Sequence, residues 1–265
     1  MSGTSSVFAI LLIATLALAF VRSEKARTRL LRLAQTVDLR YAAVIAGALL
    51  VVLGLAGSHL GGEPVALLDL DEEENIPTAT STLALLTGAA LAWLLGTARL
   101  EPGPDANVAK ALSLLLLFLA MDEAAEIHER PEHWTGVAWQ WLYLPVILAG
   151  SIVWLLALRS FIRPGVGRAC FLAAPLGPLA GALLDKLQFR GPPSSKVKVE
   201  SYEGLVVLEE MLELAGWMLL AAALVIALRH PVRAGGKTSR WRRRRRVRPA
   251  NAASPKAKQS STYSP

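Results

Sequence analysis

The feature that most constrains this chain is a pair of acidic clusters, each placed inside a long apolar run. The first lies at 118–130, where four carboxylates and a histidine end the apolar run 108–119. The second lies at 208–213 and has three glutamates in six residues. An ionisable side chain at membrane depth costs roughly 3 kcal/mol on insertion scales, so it persists only when it is paired, hydrated or bound to a partner. The two clusters therefore indicate a site.

The composition indicates a membrane protein with a basic tail. Of the 265 residues 53% are hydrophobic, and the apolar runs are long enough to cross a bilayer. The formal charge of +7 arises from residues 229–265, which hold twelve Lys/Arg and no acid, whereas the rest has sixteen bases and twenty-one acids. We therefore predict a transmembrane domain at 1–230. Because Gly, Ser, Pro and basic residues cannot form a core, 231–265 is predicted to be a disordered basic cytoplasmic tail.

Seven segments are close to the ~20 apolar residues that a membrane-crossing helix needs. They are 7–21, 42–60, 78–98, 108–127, 137–158, 169–187 and 202–228. Basic residues follow the first segment and do not precede it, which favours an uncleaved span over a secretory signal. In the sixth, Pro175 and Pro178 with Gly177 and Gly181 predict an interrupted helix. The fold class is therefore an all-α polytopic membrane helix bundle with seven transmembrane helices.

The distribution of Lys and Arg predicts the orientation, since cytoplasmic loops collect these residues. With the N-terminus outside, the inner segments 22–41, 99–107, 159–168 and the tail hold, with Lys110, twenty-three bases and four acids. The other side holds five bases and seventeen acids. We predict a multi-pass protein of the bacterial inner membrane with a cytoplasmic C-terminus. Asp122 and Glu209 then both lie in the outer third of the bilayer, roughly 20 Å along the fourth span and roughly 10 Å along the seventh.

Helical geometry groups the acids into stripes, because successive residues are rotated by 100°. The fourth span has a stripe of Asp122, Glu126 and Glu129. The seventh has a stripe of Tyr202, Glu209, Glu213 and Gly216. If the two stripes face each other, five or more carboxylates share one space, and they cannot all ionise unless a cation intervenes. The sequence therefore predicts either carboxyl groups that keep their protons or a bound divalent metal ion.

Oxygen-rich ligand sets suit Mg²⁺, Ca²⁺ or Mn²⁺ and, with histidine, iron or zinc. The predicted metal ligands are Asp122, Glu126, His128, Glu209 and Glu213. Secondary candidates are Glu123, Glu129, Glu210, Tyr202, Asp185, Glu74 and Asn75. The hydroxyls of Thr78, Thr80 and Ser81, close after Asn75, can cap the helix or line the same pocket. A simpler interpretation remains for some of the acids: Glu126 can pair with Arg130 four residues later, and Glu129 can be solvated at the helix end.

Three functions fit these features. The first is a divalent-cation site, either structural or part of a membrane-embedded enzyme acting on a lipid or lipid-linked substrate, whose oxygen the ion would polarise. The second is a cation- or proton-coupled transporter using the same acids. The inner halves of the spans count against transport, since they have few polar residues beyond Thr87, Ser113 and Ser151. The third is a non-catalytic membrane assembly partner.

The tail carries an unbroken basic run after Trp241. The run consists of Arg242, Arg243, Arg244, Arg245 and Arg246. Anionic lipid of the inner leaflet attracts such runs by about 1 kcal/mol per charge, so lipid is the predicted partner. Nucleic-acid binding is not expected, because no nucleic-acid-binding fold accompanies the run. The simplest interpretation is a charge block that fixes topology.

Three acidic motifs together resemble an uncharacterised family of bacterial multispanning membrane proteins. They are the segments 71–78, 122–129 and 208–213. The resemblance covers most of the seven-span body and none of the tail, and it implies that these motifs belong together without implying a chemistry. Di-metal carboxylate bundles are similar, but they use Glu-x-x-His, whereas Ala125 stands three residues before His128. Seven-span metal hydrolases of the ceramidase and progestin-receptor type are similar only in outline, since their histidine-rich motifs are missing.

Overall fold

The fold is helical throughout the part of the chain that the computed structural model describes, residues 3–56, 76–125, 127, 137, 139–190, 197–198 and 202–230. The helices are α1 (Gly3–Arg22), α2 (Glu24–Thr36), α3 (Leu39–Ala56), α4 (Ile76–Leu94) with a π-helical turn (Leu95–Arg99), α5 (Pro104–Ala125), α6 (Trp139–Leu142), α7 (Leu144–Ser160), α8 (Val166–Ala173), α9 (Leu176–Gln188) and α10 (Tyr202–Arg229). Strands β1 (Phe189–Arg190) and β2 (Val197–Lys198) form a short antiparallel pair. The predicted helical fold class is confirmed for these residues, apart from this pair.

Four helical segments among the described residues are long and apolar enough to cross a membrane. They are Leu39–Ala56, Ile76–Arg99, Val166–Gln188 and Tyr202–Arg229. Phe8–Arg22 and Leu144–Ser160 are shorter apolar helices. Apolar side chains of these helices, such as Val44, Leu55 and Leu179, remain exposed, which suits contact with lipid. Length and composition thus support a membrane protein, while the count of seven spans and the orientation of the termini stay predictions.

Two predicted spans differ from the helices observed. Segment 137–158 is divided at Tyr143 into α6 and α7. Pro145 lies in the first turn of α7, where a backbone N–H would have no partner within the helix, so proline costs no helical hydrogen bond. Segment 108–127 corresponds to α5, which already ends at Ala125. The predicted interruption of segment 169–187 is found, because α8 ends at Ala173 and α9 begins at Leu176.

The centre of the bundle is formed by α4, α5 and α10, whose facing leucines are almost fully buried. These are Leu85, Leu91, Leu112, Leu116, Leu220 and Leu224. Gly88 of α4 lets the helices approach closely, since a Cβ there would lie 3.3 Å from Leu116 and 3.9 Å from Leu224. The Ser113 hydroxyl of α5 donates to the carbonyl of Ala89 at 2.7 Å. Small residues and an interhelical hydrogen bond are typical means of joining membrane helices.

Helices α8 and α9 run antiparallel to α10 and lie very close to it. A Cβ on Gly177 would lie 3.1 Å from the Cα of Gly216, and a Cβ on Gly216 would lie 2.9 Å from Pro178. A Cβ on Gly177 would also overlap the carbonyl oxygen of Leu212. Real Cβ atoms are essentially never within 3.0 Å of such atoms, so both positions need glycine. The backbones of α9 and α10 are therefore in contact, which fixes the side chains around them.

Helix α2 occupies part of segment 22–41, which the sequence assigned to a connection between spans. The Ser23 hydroxyl caps its start by accepting from the Ala26 N–H at 3.2 Å. At its other end, Arg229 of α10 donates from Nε to the carbonyl of Ala34 at 2.8 Å and from a second nitrogen to the carbonyl of Val37. We call this part of the bundle, which holds α2 and Arg229, the α2 end.

Candidate functional site

Helix packing brings the two acidic clusters to one level of the bundle. The contact of Gly88 with Leu116 and Leu220 places α4, α5 and α10 in register. Asp122 comes six residues after Leu116, and Glu213 comes seven residues before Leu220. At 1.5 Å per residue, both lie about 10 Å from that contact. Charge interaction between Glu123 of α5 and Glu213 shows that they lie toward the same end.

Glu213 is the centre of the cluster. The charges that act on it come from the carboxylates of Glu123 on α5, Asp185 on α9, and Glu209 and Glu210 on its own helix. Acidic side chains of three helices therefore lie within electrostatic range of one half-buried glutamate. We call the part of the bundle that holds these five residues the carboxylate end. It lies about 24 Å along α10 from Arg229, at 1.5 Å for each of the intervening residues.

Gly181 of α9 makes room for the Glu213 side chain. A Cβ at this position would lie 2.8 Å from the Glu213 Cγ and closer still to Oε1. The carboxylate thus lies against the backbone of α9 at a point where any larger residue would displace it. The sequence singled out Gly181 only as an interruption of a span, because one-dimensional spacing does not show which helix packs on it.

Gln188 supplies a neutral partner for the cluster. Its Nε2 donates to Glu209 Oε2, and its side chain is 4% exposed. This bond ties the last residue of α9 to the second turn of α10. Gln188 was not predicted as a site residue, although it follows Asp185 by three residues and so lies on a neighbouring position of the same helix.

Asp122 has a different environment from the glutamates. It is 8% exposed, and the Tyr143 hydroxyl donates to its Oδ1 at 2.7 Å. Tyr143 occupies the break between α6 and α7 and also lies beside Phe118, with ring centroids 6.2 Å apart. The α5 carboxylate whose charge acts on Glu213 is Glu123, which the sequence placed among the secondary candidates. Tyr143 was missed because its role depends on the break between two helices.

Helix α4 contributes hydroxyl groups at the same level. Ser81 is 2% exposed, and the Oγ1 atom of Thr82 is buried without a hydrogen-bond partner among the described residues. Thr82 comes six residues before Gly88, or about 9 Å along the helix, on the side of the carboxylate end. Ser81 is one of the hydroxyl residues predicted to line the pocket, whereas Thr82 was not among them.

Several predicted residues lie outside the described part of the chain. They are Glu126, His128, Glu129, Glu74, Asn75 and the tail arginines 242–246. Tyr202 begins α10 and is half-buried. Within the described residues, no group of three or more His, Cys, Asp or Glu side chains has an arrangement that could hold a metal ion. The described carboxylates therefore converge without forming a closed ligand set.

Such an arrangement is chemically demanding. Like charges in a partly dehydrated space repel one another strongly, because the surrounding medium screens them less than water does. The repulsion falls if a proton or a cation joins the cluster. The neutral donors Gln188 and Tyr143 supply hydrogen bonds without adding positive charge. The carboxylate end therefore has the electrostatic character of a cation-binding site.

Comparison with known proteins gives one family match. The model of a family described as Domain of unknown function (DUF8692) matches residues 42–228. The match contains every residue of the carboxylate end and leaves out α1, α2 and the tail. No curated protein and no solved structure matches the chain at a significant level.

Proposed function

The chain belongs to the DUF8692 family, whose function is unknown, and from its geometry we propose that it is a membrane protein that binds a divalent cation at the carboxylate end. The observation that carries this proposal is the convergence of carboxylates from α5, α9 and α10 on Glu213. A divalent ion between them would replace repulsion by attraction and join three helices at one point.

The ligands proposed for the ion are Glu209 and Glu213 of α10 together with an acid of α5. Asp122 and Glu123 are the described candidates on α5. Glu126 and His128, four and six residues after Asp122 in the sequence, complete the set by prediction. Carboxylate oxygens favour a hard ion such as Mg²⁺, Mn²⁺ or Ca²⁺. In the proposed topology, with seven spans and the N-terminus outside, this site lies near the outer face of a bacterial inner membrane.

The surroundings of the cluster support a role on a lipid or lipid-linked substrate. Leu183, two residues after Gly181, is 61% exposed, and Leu208, next to Glu209, is 48% exposed. The acids thus adjoin an apolar surface that can face the acyl chains. An ion at this position would polarise a phosphoryl or acyl oxygen of a substrate arriving from the bilayer.

A second candidate is proton- or cation-coupled transport. It is favoured by the neutral partners of two acids, the Gln188 amide at Glu209 and the Tyr143 hydroxyl at Asp122, which accommodate a carboxyl group in either protonation state. The bundle centre argues against a continuous polar path, because Ser113 already donates to Ala89 between buried leucines. Transport predicts proton or cation flux in vesicles that contain the purified protein.

Metal analysis of the purified full-length protein tests the leading proposal. After equilibration with Mn²⁺ and removal of free ions, we expect bound metal in the wild type and its loss in Glu213→Gln. Glu203→Gln is the matched control, because Glu203 lies exposed in the first turn of the same helix. Equal metal content in all three proteins, or none in the wild type, would contradict a divalent-cation site. Flux in vesicles with metal-free protein would favour transport.

A further inference from the structure

Helix α2 has two chemically distinct faces. Lys25, Arg29 and Arg32 lie within about 60° of one another around the helix, and all three are exposed. On the opposite face, Leu30 and Leu31 pack against the core of the bundle, together with buried Ala34, which is 3% exposed. Because the apolar stripe packs on the bundle, the stripe of bases faces away from it.

The connections of α2 place it beside the membrane. One residue, Ser23, separates it from the apolar helix α1, and two residues separate it from α3, a candidate span. Asp38 begins that next helix by accepting from the Arg40 N–H at 2.8 Å. With such short connections, α2 cannot extend far from the ends of its two apolar neighbours. In a membrane that α3 crosses, the exposed face of α2 would therefore lie close to the lipid headgroups.

The position of α2 on the bundle is firmly held. It packs against α1, α4 and α10. The guanidinium of Arg229 binds the carbonyls of Ala34 and Val37 at its C-terminus, where helical carbonyls lack a partner within the helix. The backbone positions of the three bases are consequently fixed, so binding would order only their side chains.

We propose that Lys25, Arg29 and Arg32 form a binding surface for the headgroups of anionic phospholipids. The charge supports this partner, because residues 22–40 hold six bases and two acids. Leu33, beside the basic stripe, is 60% exposed and provides an apolar contact at the edge of the acyl region. These three bases are different residues from the tail arginines 242–246, and they lie outside the residues that the family model matches.

The test measures phosphatidylglycerol binding to the full-length protein in a neutral detergent by native mass spectrometry. The variant K25Q/R29Q/R32Q is made in wild-type protein and in protein whose tail arginines 242–246 are changed to glutamine, so that tail binding is removed separately. Each base near anionic lipid is expected to contribute about fivefold, and the three together roughly a hundredfold, to the dissociation constant. Phosphatidylcholine with the same acyl chains is the neutral comparison.

The charge-retaining variant K25R/R29K/R32K is the matched control and should bind phosphatidylglycerol nearly as well as the wild type. If the triple glutamine variant does not fold, Arg29→Gln alone should weaken binding by about fivefold. The proposal is overturned if the glutamine variants bind phosphatidylglycerol normally, or if phosphatidylcholine binding falls equally. The proposal is also overturned if inorganic phosphate displaces bound phosphatidylglycerol as effectively as added phosphatidylglycerol does. The partner would then not be a membrane lipid.

Discussion

The carboxylate end and the α2 end treat charge in opposite ways. At the α2 end, Arg229 donates to two helix carbonyls, while the bases of α2 face outward. At the carboxylate end, Glu213 lies against a helix backbone and is surrounded by like charges. Hydrogen bonds to carbonyls stabilise a helix terminus, whereas crowding of carboxylates opposes folding unless a cation joins them. The comparison therefore assigns a structural role to Arg229 and supports the cation-binding role that we propose for the cluster.

The range of residues that the family model matches also differs between the carboxylate end and the α2 end. It begins within α3 and ends one residue before Arg229, so it includes the whole carboxylate end and excludes α2. The matched range thus covers most of the helical bundle, from α3 to α10. The three predictions below compare the two ends, in order of decreasing expected effect.

The carboxylate end should depend most on the close contact of α9 with α10. Gly216→Ala introduces a Cβ against Pro178 and the Ala174 carbonyl, and should lower the free energy of unfolding by about 3 kcal/mol, the upper range for overpacking. Gly47→Ala is the control, because a Cβ there meets nothing within 4 Å. Denaturant unfolding of the purified protein in detergent measures both. Equal effects of the two changes would show that the contact is not close.

The bond between Tyr143 and Asp122 should contribute less. Tyr143→Phe leaves a buried carboxylate without its 2.7 Å donor, and should destabilise the protein by about 1.5 kcal/mol. Tyr41→Phe, at a tyrosine that is 72% exposed, should change the free energy of unfolding very little. The same denaturant titration applies. If the Tyr143→Phe protein is as stable as the wild type, the hydrogen bond from Tyr143 is not needed to stabilise Asp122.

The smallest effect is expected at the α2 end. Arg229→Gln removes the guanidinium from the carbonyls of Ala34 and Val37 and should cost about 1 kcal/mol, because water can replace part of these bonds. Arg229→Lys should restore little, since an ammonium lacks the planar fork that reaches both oxygens. Arg159→Gln, at an exposed base ending α7, is the control. A loss larger than that of Gly216→Ala would reverse the comparison of the two ends.

Much of the fold follows from local pattern. Segment 202–228 is predicted as a span, and the observed α10 extends over Tyr202–Arg229. The two ranges agree because polar residues bound the apolar run on both sides. The level shared by Asp122 and Glu213 also follows from counting residues along helices of known rise. Helix α2 was not predicted, since its bases identified it only as a connection on the side that collects Lys and Arg. Its apolar residues become meaningful once α10 lies beside them.

By itself, the sequence determined which segments are apolar, where acids interrupt them, and which acids share a helical stripe, because these properties depend on neighbours within a few residues. Tertiary structure decided the rest. The packing of α9 glycines on α10 made Glu213 the centre of the cluster, and Glu123 of α5 was brought toward it. Hydrogen bonds joined Asp122 to Tyr143 and Gln188 to Glu209. These contacts depend on how closely and at what angle helices distant in sequence meet, which the periodicity of a single helix does not contain.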